Sequence, residues 1–198
     1  MVRELRVADW LTLLNGAAGT GAIFAFMDLA VTGSHAALWL GAALLLAALV
    51  FDVLDGLVAR RRHEASAVGR ELDSLSDVVS FGVAPAVLGY AIGLRGSLDV
   101  VILTIFVACG ISRLARFNVT AESRSDDSGK VRYFEGLPIP SSLLVAVTAA
   151  GLALVGATHD RLPGGELALG PLVVHTFSFL YLAHGFAMVS RSIRIPKP

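Results

Sequence analysis

Four aspartates, Asp52, Asp55, Asp73 and Asp77, are the residues best suited to chemistry in this chain, and they fall into two pairs. The first pair sits in FDVLDGLVAR, a basic stretch RRHEASAVG follows, and the second pair sits in ELDSLSDVVSFG. On a helix of 3.6 residues per turn, Asp52 and Asp55 share a face with Gly56 and Ala59, and Asp73 and Asp77 share a face of the next helix. The connection over 61–72 is short enough to make the two helices antiparallel neighbours, so the carboxylates can converge near one membrane surface. Like charges gathered in a partly dehydrated site require a cation. Oxygen donors suit Mg²⁺, Mn²⁺ or Ca²⁺ rather than Zn²⁺, and four carboxylates suit two ions. Around them, Gly56 and Gly69 permit close approach of a ligand, Arg60 offers a planar fork for phosphate oxygens, and Ser66 can cap the next helix or bond a phosphate. Two plainer readings compete: ion pairs with Arg60, Arg61 and Arg62, or a transporter's cation pathway.

The elements that carry these residues must be membrane helices. The chain has 198 residues, is 55% hydrophobic and has a mean hydropathy of +0.72, too apolar for an ordinary soluble domain. A hydrocarbon core needs roughly 20 mainly apolar residues per helix. Six such stretches are expected, over about 10–33, 36–60, 73–94, 97–117, 137–157 and 167–190. The fold class is therefore an all-α integral membrane bundle of six transmembrane helices, one domain over 1–198, and function must lie inside the bundle. The start, MVRELRVADW, has charges where a cleavable signal peptide would be apolar and reads as an interfacial segment. Net charge is zero, and no nucleic-acid partner is expected. Of the sixteen Lys and Arg, only Arg95 and Arg161 fall on the outer side of a six-span topology with both termini and the aspartates on the cytoplasmic side. The single cysteine, Cys109, excludes an intrachain disulfide and a cysteine-based metal site, and reads as packing.

The string Asp52-x2-Asp55-Gly56-x2-Ala59-Arg60-x8-Gly69-x3-Asp73-x3-Asp77 resembles the signature of the CDP-alcohol phosphotransferase family at every fixed position. That resemblance implies transfer of a phosphatidyl group from a CDP-linked lipid to an alcohol, with release of CMP and with Mg²⁺ or Mn²⁺ as cofactor. It implies that Asp52, Asp55 and Asp73 are the principal metal ligands and that Asp77 joins them at the metal as its neighbouring general base. It places Gly56, Ala59, Arg60, Ser66 and Gly69 around the CDP-lipid, puts Asn15 of the first span where family members contact the CDP part, and suggests a homodimer among membrane lipids.

Acceptor choice is read from other segments. DSLSDVVSFGVAP (73–85), SRLARFN (112–118) and YFEGLPIPSS (133–142) resemble the serine-accepting branch of the family, including its archaeal archaetidylserine relatives, which implies L-serine. Serine brings a carboxylate and an ammonium. Arg113 and Arg116, three apart on one face, and Asn118 are candidate contacts for it, with anchoring at the membrane surface as the alternative for each arginine. Glycerol 3-phosphate or inositol phosphate remain alternative acceptors. The polar stretch over about 118–136 reads as a lid-like loop, with Lys130, Arg132 and Tyr133 as weaker candidates. Pro85 is expected to bend the third span. His175 and His184, nine apart in the sixth span, read as packing residues with hydrogen bonds, and the connectors on the outer side read as plain turns.

Overall fold

The computed structural model describes residues 6–62, 67–123 and 133–196; Ser66 and Lys130 and Arg132 of the lid-like stretch lie outside them. Helix α1 spans Val7–Thr32 and α2 spans His35–Arg62. Helix α3, Ala67–Asp77, continues through a π-helical segment, Val78–Val83, into α4, Ala84–Ile92. Helix α5 spans Ser97–Ser123, α6 spans Leu143–Leu154 after a 3₁₀ turn at Ile139–Ser142, and α7 spans Ser178–Val189. Four of the spans, counting Val68–Ile92 as one, are long and apolar enough to cross a membrane; Ile139–Leu154 and Ser178–Val189 are shorter apolar helices. The chain is a multi-pass membrane protein built as an all-α bundle. Large apolar side chains such as Phe24, Val31, Leu144 and Val147 point outward, as a lipid-facing surface requires.

Helix α1 is the hub, packed along α2 and against α3, the π-helical segment and α4. Residues 7–10 are part of α1 itself, so the expected interfacial segment does not form a separate element there. The start is fixed by Asp9, whose Oδ2 accepts the Arg6 backbone N–H at 2.8 Å. Gly33 ends the helix at φ 66°, its N–H bonding back to Leu29. Small residues bring α1 against the third span: Gly16 faces Ser76 and Gly19 faces Ser80, and a Cβ at Gly19 would come within 2.7 Å of the Ser80 Cα. At the end of the bundle opposite the aspartates, the Arg95 guanidinium donates to the carbonyls of Ala30 and Tyr90, joining the ends of α1 and α4.

Pro85 acts through register rather than a simple bend. It cannot donate the hydrogen bond that Phe81 would otherwise receive, and the chain ahead of it widens into π geometry, with the Ala84 N–H reaching Val79. The widened turn begins directly after Asp77. The Pro85 carbonyl accepts the Tyr181 hydroxyl at 3.0 Å, so α7 buttresses the same segment.

Two expected boundaries are corrected. The sixth span begins at Ser178, because Glu166–Leu169 (β2) and Leu172–His175 (β3) form an antiparallel hairpin. Gly170 supplies the positive φ (65°) of its two-residue loop, and Pro171 would interrupt any helix there. The polar loop starts later than expected, because α5 runs on to Ser123; at its far end Tyr133–Glu135 (β1) pairs with Arg194–Pro196 (β4).

The hairpin is fastened by a buried pair. His175 Nδ1 lies 2.6 Å from Asp99 Oδ2, and Asp99 also accepts the backbone N–H groups of His175 and Gly96. An acceptor-only carboxylate requires the proton on Nδ1. This pair lies beside a cleft of about 480 Å³ bordered by Arg95, His159 and Glu166, so the connectors at this end form a hairpin and a cleft where plain turns were expected. Asp99→Ala leaves three donors without their acceptor and is expected to cost about 3 kcal/mol. A lowered unfolding midpoint in detergent checks this; an unchanged midpoint refutes it.

Candidate active site

The aspartates converge as their spacing requires. Oxygens of Asp52 and Asp55 on α2 and Asp73 on α3 all lie within 4.8 Å of one another. Asp77 is not one of that trio; its carboxyl meets that of Asp52 and accepts the Asn15 amide N–H at 3.1 Å. Asp55 and Asp77 are buried, while Asp52 and Asp73 are half-buried. Charges gathered this closely in a partly buried place repel one another unless a cation compensates them.

The donor set fits a hard divalent cation. All its atoms are carboxylate oxygens, and the buried Asp73 Oδ1 has no hydrogen-bond partner among the described residues. A Cβ placed at Gly56 would meet nothing within 4 Å, so there is room for a ligand beside Asp55. Ala59 is half-buried, Arg60 is exposed at the end of α2, and Gly69 stands half-buried in the first turn of α3. The cluster can hold a metal, and the open space at Gly56 leaves room for a ligand beside it.

Helix α1 supplies contacts that spacing does not reveal. Thr12 Oγ1 lies 2.6 Å from Asp55 Oδ2 and 3.2 Å from the Ala8 carbonyl. Asn15 is fully buried, its Nδ2 on Asp77 and its Oδ1 without a partner among the described residues. The Ser80 hydroxyl donates to the Asn15 carbonyl at 3.0 Å, locking this turn of α1 to the π-helical segment. Thr12 and Ser80 are the missed residues. The signal available for Thr12 was its place one helical turn before Asn15 in the first span.

The three acceptor candidates separate. Arg113 lies close enough to Asp77 for their charges to interact, and its guanidinium stands 5.7 Å from the Phe117 ring centroid. Arg116 donates through Nη1 to the Val189 carbonyl at the end of α7. Asn118 donates to the Ser74 hydroxyl, next to Asp73. His184 meets Ser141 at 3.2 Å, the packing contact expected of it.

Residues 5–188 match the family model described as CDP-alcohol phosphatidyltransferase. The chain belongs to the CDP-alcohol phosphatidyltransferase family. Among relatives, it is 42% identical over 201 residues to the CDP-diacylglycerol–serine O-phosphatidyltransferase of Saccharomyces cerevisiae, a match covering 100% of this chain and 73% of the relative. It is 40% identical over 156 residues to the archaetidylserine synthase of Methanothermobacter thermautotrophicus, covering 77% and 59%. It is 38% identical over 143 residues to the CDP-diacylglycerol–serine O-phosphatidyltransferase of Methanocaldococcus jannaschii, covering 72% and 59%. The matches thus span about three-fifths of the two archaeal relatives' length. Among the described residues, the only group of three or more side chains that could hold a metal ion lies within the stretch that matches the family model.

Proposed function

We propose that this membrane enzyme transfers a phosphatidyl group from a CDP-linked lipid, CDP-diacylglycerol or its archaeal equivalent, to L-serine in phospholipid biosynthesis, releasing CMP. The observation that carries the reading is the convergence of Asp52, Asp55 and Asp73 within 4.8 Å in a family whose named relatives accept serine. The whole chain works as one catalytic unit, in the cytoplasmic membrane with its aspartates facing the cytoplasm, which the distribution of Lys and Arg supports. It works as a homodimer, for which the exposed apolar faces leave room.

Asp52, Asp55 and Asp73 are the principal metal ligands and Asp77 completes the set, for two Mg²⁺ or Mn²⁺ ions in this reading. Once bound, such ions neutralise the diphosphate and polarise the phosphorus under attack. Arg60 binds diphosphate oxygens at the open end of α2, and Gly56 and Gly69 let the phosphates approach the backbone. Ala59, Asn15 and Ser66 complete the CDP-lipid side of the site. Asp77 takes the proton of the serine hydroxyl while its oxygen bonds to phosphorus and the bond to the departing CMP oxygen breaks. Asn15 orients Asp77 through the bond to Oδ1.

Arg113, the arginine near Asp77, is the natural partner of the serine carboxylate. Arg116 and Asn118 support that wall, since each already has a protein partner. Replacing Asn118 removes its tie to Ser74 beside Asp73, so its effect reaches the metal site as well as the acceptor.

CMP release from CDP-diacylglycerol in detergent, measured with Mg²⁺ or Mn²⁺ and each acceptor in turn, tests the proposal. Serine is expected to support turnover at least about tenfold above glycerol 3-phosphate and inositol phosphate, the size of preference that one well-matched charge pair provides. Activity with glycerol 3-phosphate alone would overturn the serine assignment and leave the family chemistry standing. Metal flux into sealed vesicles without CDP-lipid would favour a transporter instead.

A further inference from the structure

The contact between Thr12 and Asp55 constrains more than packing. A threonine hydroxyl carries one proton, and two acceptors lie near it, the Ala8 carbonyl at 3.2 Å and Asp55 Oδ2 at 2.6 Å. The shorter distance is that of a charge-assisted O–H···O⁻ bond, so the proton lies on the line to Asp55. Both residues are buried, Thr12 at 3% and Asp55 at 5% exposure, and water does not compete freely for either. With Oδ2 directed at α1, the orientation of the Asp55 carboxylate among the aspartates is fixed.

We propose that Thr12 is a positioning residue that holds Asp55 as a one-oxygen ligand and so biases the aspartate cluster toward small octahedral cations over Ca²⁺. This rests on the reading of the cluster as a metal centre. Mg²⁺ demands six ligands in near-ideal octahedral geometry, whereas Ca²⁺ takes six to eight oxygens and readily accepts both oxygens of one carboxylate. A carboxylate held at one oxygen is fixed in direction and resists turning both oxygens onto one ion, which suits the smaller ion. Freed of the hydroxyl, Asp55 can turn and offer both oxygens, which suits the larger one. Hydrogen bonds that orient metal ligands are typically worth about 10–100-fold in affinity.

The test is Mn²⁺ titration of the purified full-length protein in detergent, without CDP-lipid, followed by the paramagnetic resonance signal of free Mn²⁺, then displacement by Ca²⁺. Thr12→Val, which keeps shape and removes the donor, is expected to weaken Mn²⁺ about tenfold and to lower the Ca²⁺ concentration needed for displacement relative to Mn²⁺ affinity. Thr12→Ser is expected to restore both, which a purely packing role for the threonine methyl would not produce. Thr12→Ala carries the same comparison if the valine variant does not fold, and unfolding midpoints in EDTA separate folding from binding. Unchanged Mn²⁺ affinity and unchanged selectivity in a folded donor-less variant overturn the role of Thr12 alone, provided Asp73→Asn abolishes binding. Wild-type protein that binds no Mn²⁺, or Asp73→Asn that binds it as wild type does, overturns the metal reading together with this one.

Discussion

Asp77→Asn is expected to lower kcat by about 10²–10⁴-fold, the usual worth of a positioned general base, while CDP-lipid affinity stays within a few-fold of wild type. The substitution is nearly isosteric and removes the capacity to take a proton. Asp77 is 6% exposed, meets Asp52 and is fixed by Asn15, so little rearrangement is needed to house the amide. Its place outside the trio of Asp52, Asp55 and Asp73 is what separates the two roles. A residue needed chiefly as a ligand would lose metal affinity when made neutral; a base loses turnover at saturating metal. The measurement is therefore kcat at saturating Mn²⁺ together with equilibrium binding of CDP-lipid. Turnover equal to wild type refutes the assignment, and a loss recovered by adding metal leaves Asp77 as a ligand and not the base.

The parts of this site that the sequence made legible are those with short-range geometry. Asp52 and Asp55, or Asp73 and Asp77, share a face because helical periodicity says so, and the short link between α2 and α3 leaves little freedom in how the pairs meet. The contacts made by α1 are different in kind. Thr12 reaches Asp55 across 43 positions and Asn15 reaches Asp77 across 62, and both depend on the rotation of α1 about its axis. That rotation is set by Gly16 and Gly19 lying against Ser76 and Ser80, a register between helices that apolar periodicity does not encode. The same holds for Asp99 and His175, 76 positions apart, whose pairing becomes visible only once the hairpin is in place.

The hairpin itself was hidden by composition. Residues 167–174, LALGPLVV, are as apolar as a membrane span, so hydropathy reads straight through them, while Gly170 and Pro171 enforce a turn. Apolar character reports burial or lipid contact, whereas backbone geometry is decided by the two residues that cannot continue a helix. The π-helical segment after Asp77 has a similar origin: Pro85 was visible, and whether the chain would kink or widen depended on Tyr181 and the small residues of α1 packed around it.

Gly19→Val is expected to reduce turnover at least about 100-fold even though Gly19 touches no aspartate, because an error of about 1 Å in the placement of reacting groups can cost that much. A Cβ at Gly19 overlaps the Ser80 hydroxyl and comes within 2.7 Å of its Cα, which is backbone and cannot swing aside. Either α1 or the π-helical segment must move. Each movement breaks the Ser80 bond to the Asn15 carbonyl, then draws Asn15 from Asp77 and Thr12 from Asp55. In lipid, no hydrophobic force pulls the two helices back together, since the tails are as apolar as the side chains, and association rests on the close contact that glycine permits. Overpacking of this kind costs typically 1–3 kcal/mol, so part of the protein should remain folded in detergent and available for kinetics. Gly56→Val is the informative contrast, because a Cβ there meets no protein atom within 4 Å. It should spare the unfolding midpoint and act on CDP-lipid binding, whereas Gly19→Val should lower the midpoint and weaken Mn²⁺ binding with it. A Gly19→Val protein with wild-type turnover would show that the aspartates hold their geometry without α1, which the bonds from Thr12 and Asn15 argue against.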